Sequence, residues 1–203
     1  MRPTRWLFLA WFAALAGCAS APPVNYALSR PVPQGAATLP AVKSGPYALG
    51  EVIVPPEVDH AELAVQQTDG RILLLANDLW SAPLGGQLRT ALALELTTQL
   101  GMPPVQSLTP GMRDPEVSVV QVDVQRFDLV PGQQVTLEAL WRVRFAGSKK
   151  LVTCFVRLQE PVGVGVSALV LGQQKNIQQL ATLIAETLSG QGKPKGANCT
   201  APQ

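Results

Sequence analysis

Between residues 135 and 145 the sequence alternates, position by position, between apolar and mostly polar side chains. The apolar set is Val135, Leu137, Ala139, Trp141, Val143 and Phe145. Because side chains of a β-strand point alternately to its two faces, this pattern predicts a strand with one apolar face. Pro131-Gly132 and Gly147-Ser148 predict turns on either side, with apolar runs at 117–127 and 151–158 beyond them. The sequence therefore predicts three consecutive antiparallel strands, whose apolar face must pack against other elements of the fold.

Two helices are predicted to provide that cover. In the first, at residues 80–100, a large apolar side chain recurs every fourth residue: Trp80, Leu84, Leu88, Leu92, Leu96 and Leu100. Ser81 is expected as the N-cap, Pro83 falls in the first turn, and Gly101 ends the helix. A second helix is predicted at about 167–188, with apolar residues along one side.

Shorter strands are predicted before the first helix. Residues 24–28 are expected to form a short edge strand, and residues 49–54 a second strand that ends at two prolines. Residues 63–67 and 71–75 flank Thr68-Asp69-Gly70, and an Asp-Gly pair between two such runs is typical of a type I′ hairpin turn.

The order of these elements predicts a single α+β domain, a mostly antiparallel sheet with two main helices packed on one face. We place this domain at residues 49–190. A Pro- and Ala-rich segment at 18–48 precedes it, and a polar C-terminal tail at 191–203 follows it.

Residues 1–17 have the features of an export signal. Arg2 and Arg5 precede 11 apolar residues, at 6–16. Such a run is too short for a hydrocarbon core of about 30 Å, which needs roughly 20 residues. A basic start, a short apolar stretch and small residues before the cleavage site define a secretory signal peptide.

The end of that segment is more specific. Leu15, Ala16 and Gly17 stand directly before Cys18, which resembles the lipobox of bacterial lipoproteins. In that signal, cleavage falls before a cysteine that then carries diacylglycerol, and the resemblance assigns this role to Cys18. The alternative is an ordinary signal peptide with an incidental cysteine.

The residue after Cys18 bears on the destination. In typical Gram-negative lipoproteins, an Asp directly after the acylated cysteine retains the protein at the inner membrane. This chain has Ala19 at that position. The resemblance therefore implies a lipid anchor in the outer membrane, with the domain on the periplasmic side.

The charge of the chain argues against nucleic acid as a partner. The sequence has 16 Lys and Arg against 14 Asp and Glu, and the excess of two is Arg2 and Arg5 of the signal segment. The mature chain is then neutral overall, without the basic surface that phosphate binding needs.

Two cysteines remain after Cys18. Cys154 lies in a predicted strand, on the apolar face, and Cys199 lies in the polar tail. An oxidising periplasm allows a disulfide between them, which would fix the tail to the sheet. The alternative is a buried free thiol and an exposed one.

The sequence offers little that is typical of catalysis. Its one histidine, His60, follows Asp59 in a predicted loop and has no cysteine neighbour for a metal site. Gly163 to Ala168 matches a loose dinucleotide fingerprint, but no βαβ unit surrounds it. We therefore expect no catalytic residue, no metal and no cofactor.

Taken together, these features resemble the ABC transport auxiliary lipoproteins of PqiC/YmbA type. The resemblance rests on the lipobox cysteine, on Tyr26-Ala27-Leu28 and on residues 49–96, with their Pro55-Pro56, hairpin and leucine-rich helix. Residues 167–188 resemble the final helix of that family. The chain departs from the family at His60, where a basic residue is more usual, and in a longer, proline-rich 29–46.

The resemblance implies a non-enzymatic subunit that docks an MCE-type lipid transport system at the outer membrane. Its partners would be an MCE-family protein and an inner-membrane transport component, and a ring-like homo-oligomer is plausible by analogy with a symmetric tunnel. One alternative is a lipid carrier, with a cavity between the Trp141 strand face and the leucine stripe. A stand-alone envelope scaffold and a hydrolase that uses His60 are further alternatives.

Overall fold

The computed structural model describes residues 22–30, 44–105, 116–148, 150–190 and 194–200. In these ranges the strands are β1 (Val24–Tyr26), β2 (Tyr47–Ile53), β3 (Glu62–Gln66), β4 (Ile72–Trp80), β5 (Ser118–Val130), β6 (Gln134–Arg144), β7 (Leu151–Pro161) and β8 (Asn198–Thr200). The helices are α1 (Leu84–Leu100) and α2 (Val166–Leu188), with a short 3-10 helix at Pro56–Val58. The predicted α+β class is confirmed.

The strands form two sheets rather than one. The larger sheet has the order β2-β5-β6-β7-β8, and the smaller has the order β1-β4-β3. Each contains one parallel pair, β2 with β5 and β1 with β4, and the remaining pairs are antiparallel. The sheets are therefore mixed, with the predicted meander β5-β6-β7 at the centre of the larger one.

The meander has the facing pattern that its alternation predicts. Trp141 on β6 lies opposite Val122 of β5 and Cys154 of β7, and all three side chains are buried. Trp141 Nε1 donates a hydrogen bond to Thr187 Oγ1 on α2 at 3.3 Å. This face of the sheet is therefore covered by the second helix, as the pattern predicts.

Both sheets share one hydrophobic core. Leu84, Leu88, Leu92, Leu96 and Leu100, the α1 members of the predicted leucine stripe, are all buried. Trp80 at the end of β4 meets Phe127 of β5 edge to face, with ring centroids 6.1 Å apart. This contact joins the small sheet to the large one.

The first helix begins at Leu84 and not at Trp80, so the predicted start and N-cap are wrong. Trp80 is the last residue of β4, and the N–H groups of Trp80 and Ser81 donate to backbone carbonyls at 2.7 and 2.9 Å. Pro83 is the N-cap and makes no side-chain cap bond. Because a proline disfavours helical backbone at the preceding residue, Ala82 cannot belong to the helix.

Two neighbouring glycines open this helix, and only one of them touches the sheet. A Cβ on Gly85 would lie 2.7 Å from the backbone oxygen of Val52 in β2, whereas a Cβ on Gly86 would meet nothing within 4 Å. The first turn of α1 therefore approaches β2 closely at Gly85. The other end follows the prediction, since Gly101 caps α1 in the left-handed conformation.

The hairpin between β3 and β4 is present, but its turn differs from the predicted two-residue type. The N–H of Gln67 donates to the Arg71 oxygen at 2.8 Å, and the N–H of Gly70 donates to the Gln67 oxygen at 2.9 Å. The loop therefore has three residues, 68–70, and ends in Gly70 with φ +86°. Three-residue hairpin loops need one left-handed residue, which glycine supplies without strain.

Neither helix in the described ranges is long and apolar enough to cross a membrane.

Candidate functional site: the attachment of the N-terminal segment

The predicted lipidation residue Cys18 and its lipobox, Leu15, Ala16 and Gly17, lie outside the described residues. What the structure describes is the place where the segment after Cys18 joins the domain. There β1 lies parallel to the end of β4, with Val24 opposite Asp78. A short edge strand is present as predicted, in the smaller of the two sheets, but it ends at Tyr26 and not at residue 28.

A buried glutamine of α1 fixes the segment that follows β1. The side chain of Gln87 is 7% exposed, and its Oε1 accepts the N–H of buried Leu28 at 2.9 Å. Its Nε2 donates to the carbonyls of Tyr26 at 3.4 Å and Ala82 at 3.1 Å. The side-chain amide of Gln87 thus binds backbone groups of residues 26 and 28, on both sides of residue 27.

A second buried glutamine, on α2, reaches the same segment. Gln174 Nε2 donates to the Ala27 oxygen at 3.0 Å. Further along, Arg30 pairs with Glu95 of α1, with Nη2 and Oε1 at 2.7 Å and Nε and Oε1 at 3.1 Å. Residues 26–30 are therefore attached to both helices; we call this set of contacts the amide clamp.

Tyr26 adds a contact to β4. Its hydroxyl donates to Asp78 Oδ1 at 3.0 Å. Desolvation raises the pKa of Tyr26 above its usual value, and the bond to the Asp78 carboxylate and its negative charge raise it further. The phenol therefore stays protonated and keeps donating throughout the physiological pH range.

The disulfide considered from the sequence is present between Cys154 and Cys199. The two residues are directly paired across β7 and β8, with their Cα atoms 4.0 Å apart. Part of the predicted C-terminal tail is thus the edge strand β8, because pairing to β7 satisfies its backbone. The tail is attached to the sheet both covalently and by strand pairing.

The face of the larger sheet that points away from Trp141 carries a charge-balanced network. Arg142 Nη1 lies 2.6 Å from Asp123 Oδ2, and Arg157 Nε lies 2.7 Å from Glu138 Oε1. Arg126 Nη1 is 3.8 Å from the same Glu138 oxygen. Partly exposed pairs of this kind contribute little to stability, about 0–1 kcal/mol each. Arg126 also pairs with Asp128, so these three arginines are matched by three carboxylates.

His60 was the candidate for catalysis, and the glycines at 163–165 were the candidate for nucleotide binding. His60 is exposed in the loop after the 3-10 helix. Within the described ranges no group of three or more His, Cys, Asp or Glu side chains is placed to hold a metal ion. Gly165, with φ +95°, leads directly into α2, and the strand after α2 is antiparallel to β7. The glycines at 163–165 therefore serve the entry into a helix and not a βαβ nucleotide site.

Sequence reasoning missed the amide clamp. Gln87 directly precedes Leu88 of the buried stripe, and Gln174 is one of several buried polar residues of α2. Polar residues on a buried helix face need hydrogen-bond partners, so they do point to an unseen segment. The sequence could not identify their partners, because these are backbone groups of Ala27 and Leu28, which any residue type would supply.

Comparison with known proteins gives one family. A family model described as the ABC-type transport auxiliary lipoprotein component matches residues 26–185. No curated protein matches the sequence.

Solved structures with the same fold are present as well. One, a crystal structure of an uncharacterised protein, is 21% identical with a TM-score of 0.65, covering 82% of this chain and 98% of the other. Another, from Xanthomonas campestris and of the DUF330 family, is 15% identical with a TM-score of 0.63, covering 83% and 97%. At such identities the likeness shows the fold.

Proposed function

We propose a function from one premise: the chain belongs to the family of ABC-type transport auxiliary lipoprotein components. Membership makes it an accessory part of a transport system and places it among membrane-anchored proteins of the cell envelope. Our finer proposal is a non-enzymatic subunit that docks an MCE-type intermembrane lipid transport system at the outer membrane. Its partners would be the MCE-family protein and the inner-membrane component, and its anchor a lipid on Cys18.

The amide clamp is the observation that carries this proposal. A subunit that holds a partner at a membrane must pass force between its lipid and its folded domain. Residues 26–30 bond to α1 through Gln87 and Glu95 and to α2 through Gln174. The segment that leads to Cys18 is therefore joined to the core of the domain and not only to a surface loop.

Chain length then limits where docking takes place. Val24 lies six positions after Cys18, so an acylated cysteine holds the start of β1 within about 20 Å of the bilayer. A domain of this size has a radius of gyration of about 15 Å. Its docking surfaces thus lie within roughly 60 Å of the membrane, and the partner must reach the remaining distance.

The open face of the larger sheet agrees with a docking role rather than a chemical one. Its carboxylates at Asp123 and Glu138 already pair with arginines at 2.6 and 2.7 Å. Carboxylates paired in this way are occupied, whereas a general acid or base must be free to reach its substrate.

No specific observation favours the lipid-carrier alternative. Trp141 and Leu88, which would line its cavity, are buried in one common core, 0% and 1% exposed. A carrier would retain phospholipid through purification of the non-acylated domain, and native mass spectrometry would detect that lipid. We expect the protein to be recovered without it.

Cross-linking in the native host tests the proposal. The full-length protein, with an affinity tag after residue 203, is cross-linked in intact cells and purified, and its partners are identified by mass spectrometry. We expect an MCE-family protein and an inner-membrane transport component. The Cys18→Ala variant is the control, and the partners should be lost with it. Recovery of neither component from the wild type would refute the docking role.

A further inference from the structure

The tip of the β3–β4 hairpin exposes three consecutive large apolar side chains. Ile72, Leu73 and Leu74 are 55%, 50% and 42% exposed, and only Leu75 begins to pack against the core. Because consecutive residues of a strand point to opposite faces, both faces of β4 are apolar and exposed here, whereas the facing Ala64 and Val65 of β3 are buried. In the described residues β1 pairs with positions 78–80 of β4, so residues 72–74 lie beyond that pairing as an exposed apolar stretch. We call residues 72–74 the hairpin tip.

The direction of β1 relates this tip to the predicted anchor. β1 is parallel to β4, with Val24 opposite Asp78, so the chain enters β1 from the end of the sheet where the hairpin tip lies. Ile72 is six positions before Asp78, a distance of about 20 Å along a strand. Cys18 is likewise six positions before Val24 and reaches at most about 20 Å.

The charges at the tip are compatible with a lipid surface. Asp69 and Arg71 are the charged residues between Gln66 and Ala76. Arg71 Nε lies 2.7 Å from Asp69 Oδ2, and the Arg71 N–H donates to Asp69 Oδ1 at 3.1 Å. These bonds from Arg71 hold the pKa of Asp69 below its usual range, so the two charges are opposite and adjacent. The turn is therefore neutral overall.

We propose that the hairpin tip is a second membrane contact, inserted into the headgroup region of the same bilayer leaflet that holds the lipid on Cys18. Three strand residues span about 7 Å, which matches the roughly 5–10 Å depth of interfacial apolar segments. The lipid and the tip together fix the orientation of the domain, which a single flexible anchor cannot do. This inference rests on the acylated Cys18 of the proposed function and not on the identity of the transport partner.

Depth-dependent fluorescence quenching tests the contact. The full-length acylated protein carries Leu73→Cys, labelled with an environment-sensitive dye, and is reconstituted into phosphatidylethanolamine–phosphatidylglycerol vesicles with or without brominated acyl chains. The disulfide between Cys154 and Cys199 keeps those thiols from the dye. Ile72→Cys repeats the measurement on the opposite face of the strand. The control is Leu151→Cys, an exposed position on the other sheet.

In brominated vesicles we expect the emission at positions 72 and 73 to fall by about half or more, as for groups at interfacial depth, with no change at position 151. Equal emission in both kinds of vesicle overturns the inference, and so does equal quenching at all three positions, which is unspecific adsorption. Disulfide-linked dimers of the unlabelled Leu73→Cys protein, together with no quenching of the labelled protein, also overturn it, since they place a second copy against residues 72–74. If the mass of the protein shows no acyl group, the proposed anchor itself fails; if acylation and partners are intact but quenching is absent, only this inference fails.

Discussion

Replacing Gln87 by methionine is the sharpest test of the amide clamp. Methionine has a similar length and flexibility, so it fills the site but offers no amide. The N–H of Leu28 then loses its acceptor at 2.9 Å while remaining buried, since Leu28 is 1% exposed. A buried donor left without a partner costs about 1–3 kcal/mol.

The other bonds of Gln87 contribute less. Its Nε2 serves the Ala82 and Tyr26 oxygens at 3.1 and 3.4 Å, and Ala82 is exposed, so water can replace that bond. A replaceable bond contributes about 0.5–1.5 kcal/mol net. We therefore expect the free energy of unfolding to fall by about 2–3 kcal/mol in the Gln87→Met variant.

Gln174→Met is the matched control. It removes the bond to the Ala27 oxygen at 3.0 Å, but Ala27 is exposed, so its carbonyl can bind water instead. We expect a loss below about 1 kcal/mol for this variant. Urea unfolding of the mature chain, prepared with Cys18→Ser, measures both values.

Hydrogen exchange locates the effect. A local loss of 2 kcal/mol corresponds to roughly 30-fold faster exchange of the Leu28 amide, and buried amides of β6 should change much less. If Gln87→Met and Gln174→Met destabilise equally, or if the Leu28 amide keeps its protection in both, residues 26–30 are not held as described.

The remaining predictions concern packing in the core and the disulfide between Cys154 and Cys199. Gly85→Ala should lower the free energy of unfolding by about 1–3 kcal/mol, because the new methyl group meets the β2 backbone. Gly86→Ala places its methyl group in open space and should raise the free energy of unfolding by about 0.5–1 kcal/mol. Equal effects of the two variants in thermal unfolding would refute the close approach of Gly85 to β2. Replacing both Cys154 and Cys199 by alanine opens a loop between residues 45 apart and should cost up to about 4 kcal/mol, and an unchanged urea midpoint would contradict this. Burial raises the pKa of Tyr47 to about 12 from 10, so the phenol stabilises the fold below pH 10 and this contribution is lost as pH rises to 12. The wild type should therefore lose up to about 2–3 kcal/mol more than Tyr47→Phe over that interval, and parallel pH profiles would disprove the assignment.

Much of the fold could be predicted because its signals are local. The alternation at 135–145 repeats every two residues, which indicates a strand, and the leucines from Leu84 to Leu100 repeat every four, which indicates a helix. These patterns gave the meander and both helices with small errors at the ends. The start of α1 was misplaced because the apolar Trp80 continues the helical spacing although it belongs to β4.

The division into two sheets could not be predicted from periodicity. The parallel pairs, β1 with β4 and β2 with β5, join segments far apart in the chain, and strand period says nothing about the partner. The same limit applies to the functional region. The motif at Cys18 is contiguous and recognisable, but Gln87 and Gln174 gain their role only when β1 has docked.

The mass of the mature protein, isolated from its native envelope, shows whether a lipid on Cys18 attaches the domain to a membrane. We predict a mature chain that begins at Cys18 and carries diacylglycerol on that residue. A mature chain without acyl groups, or one cleaved at another position, would contradict it.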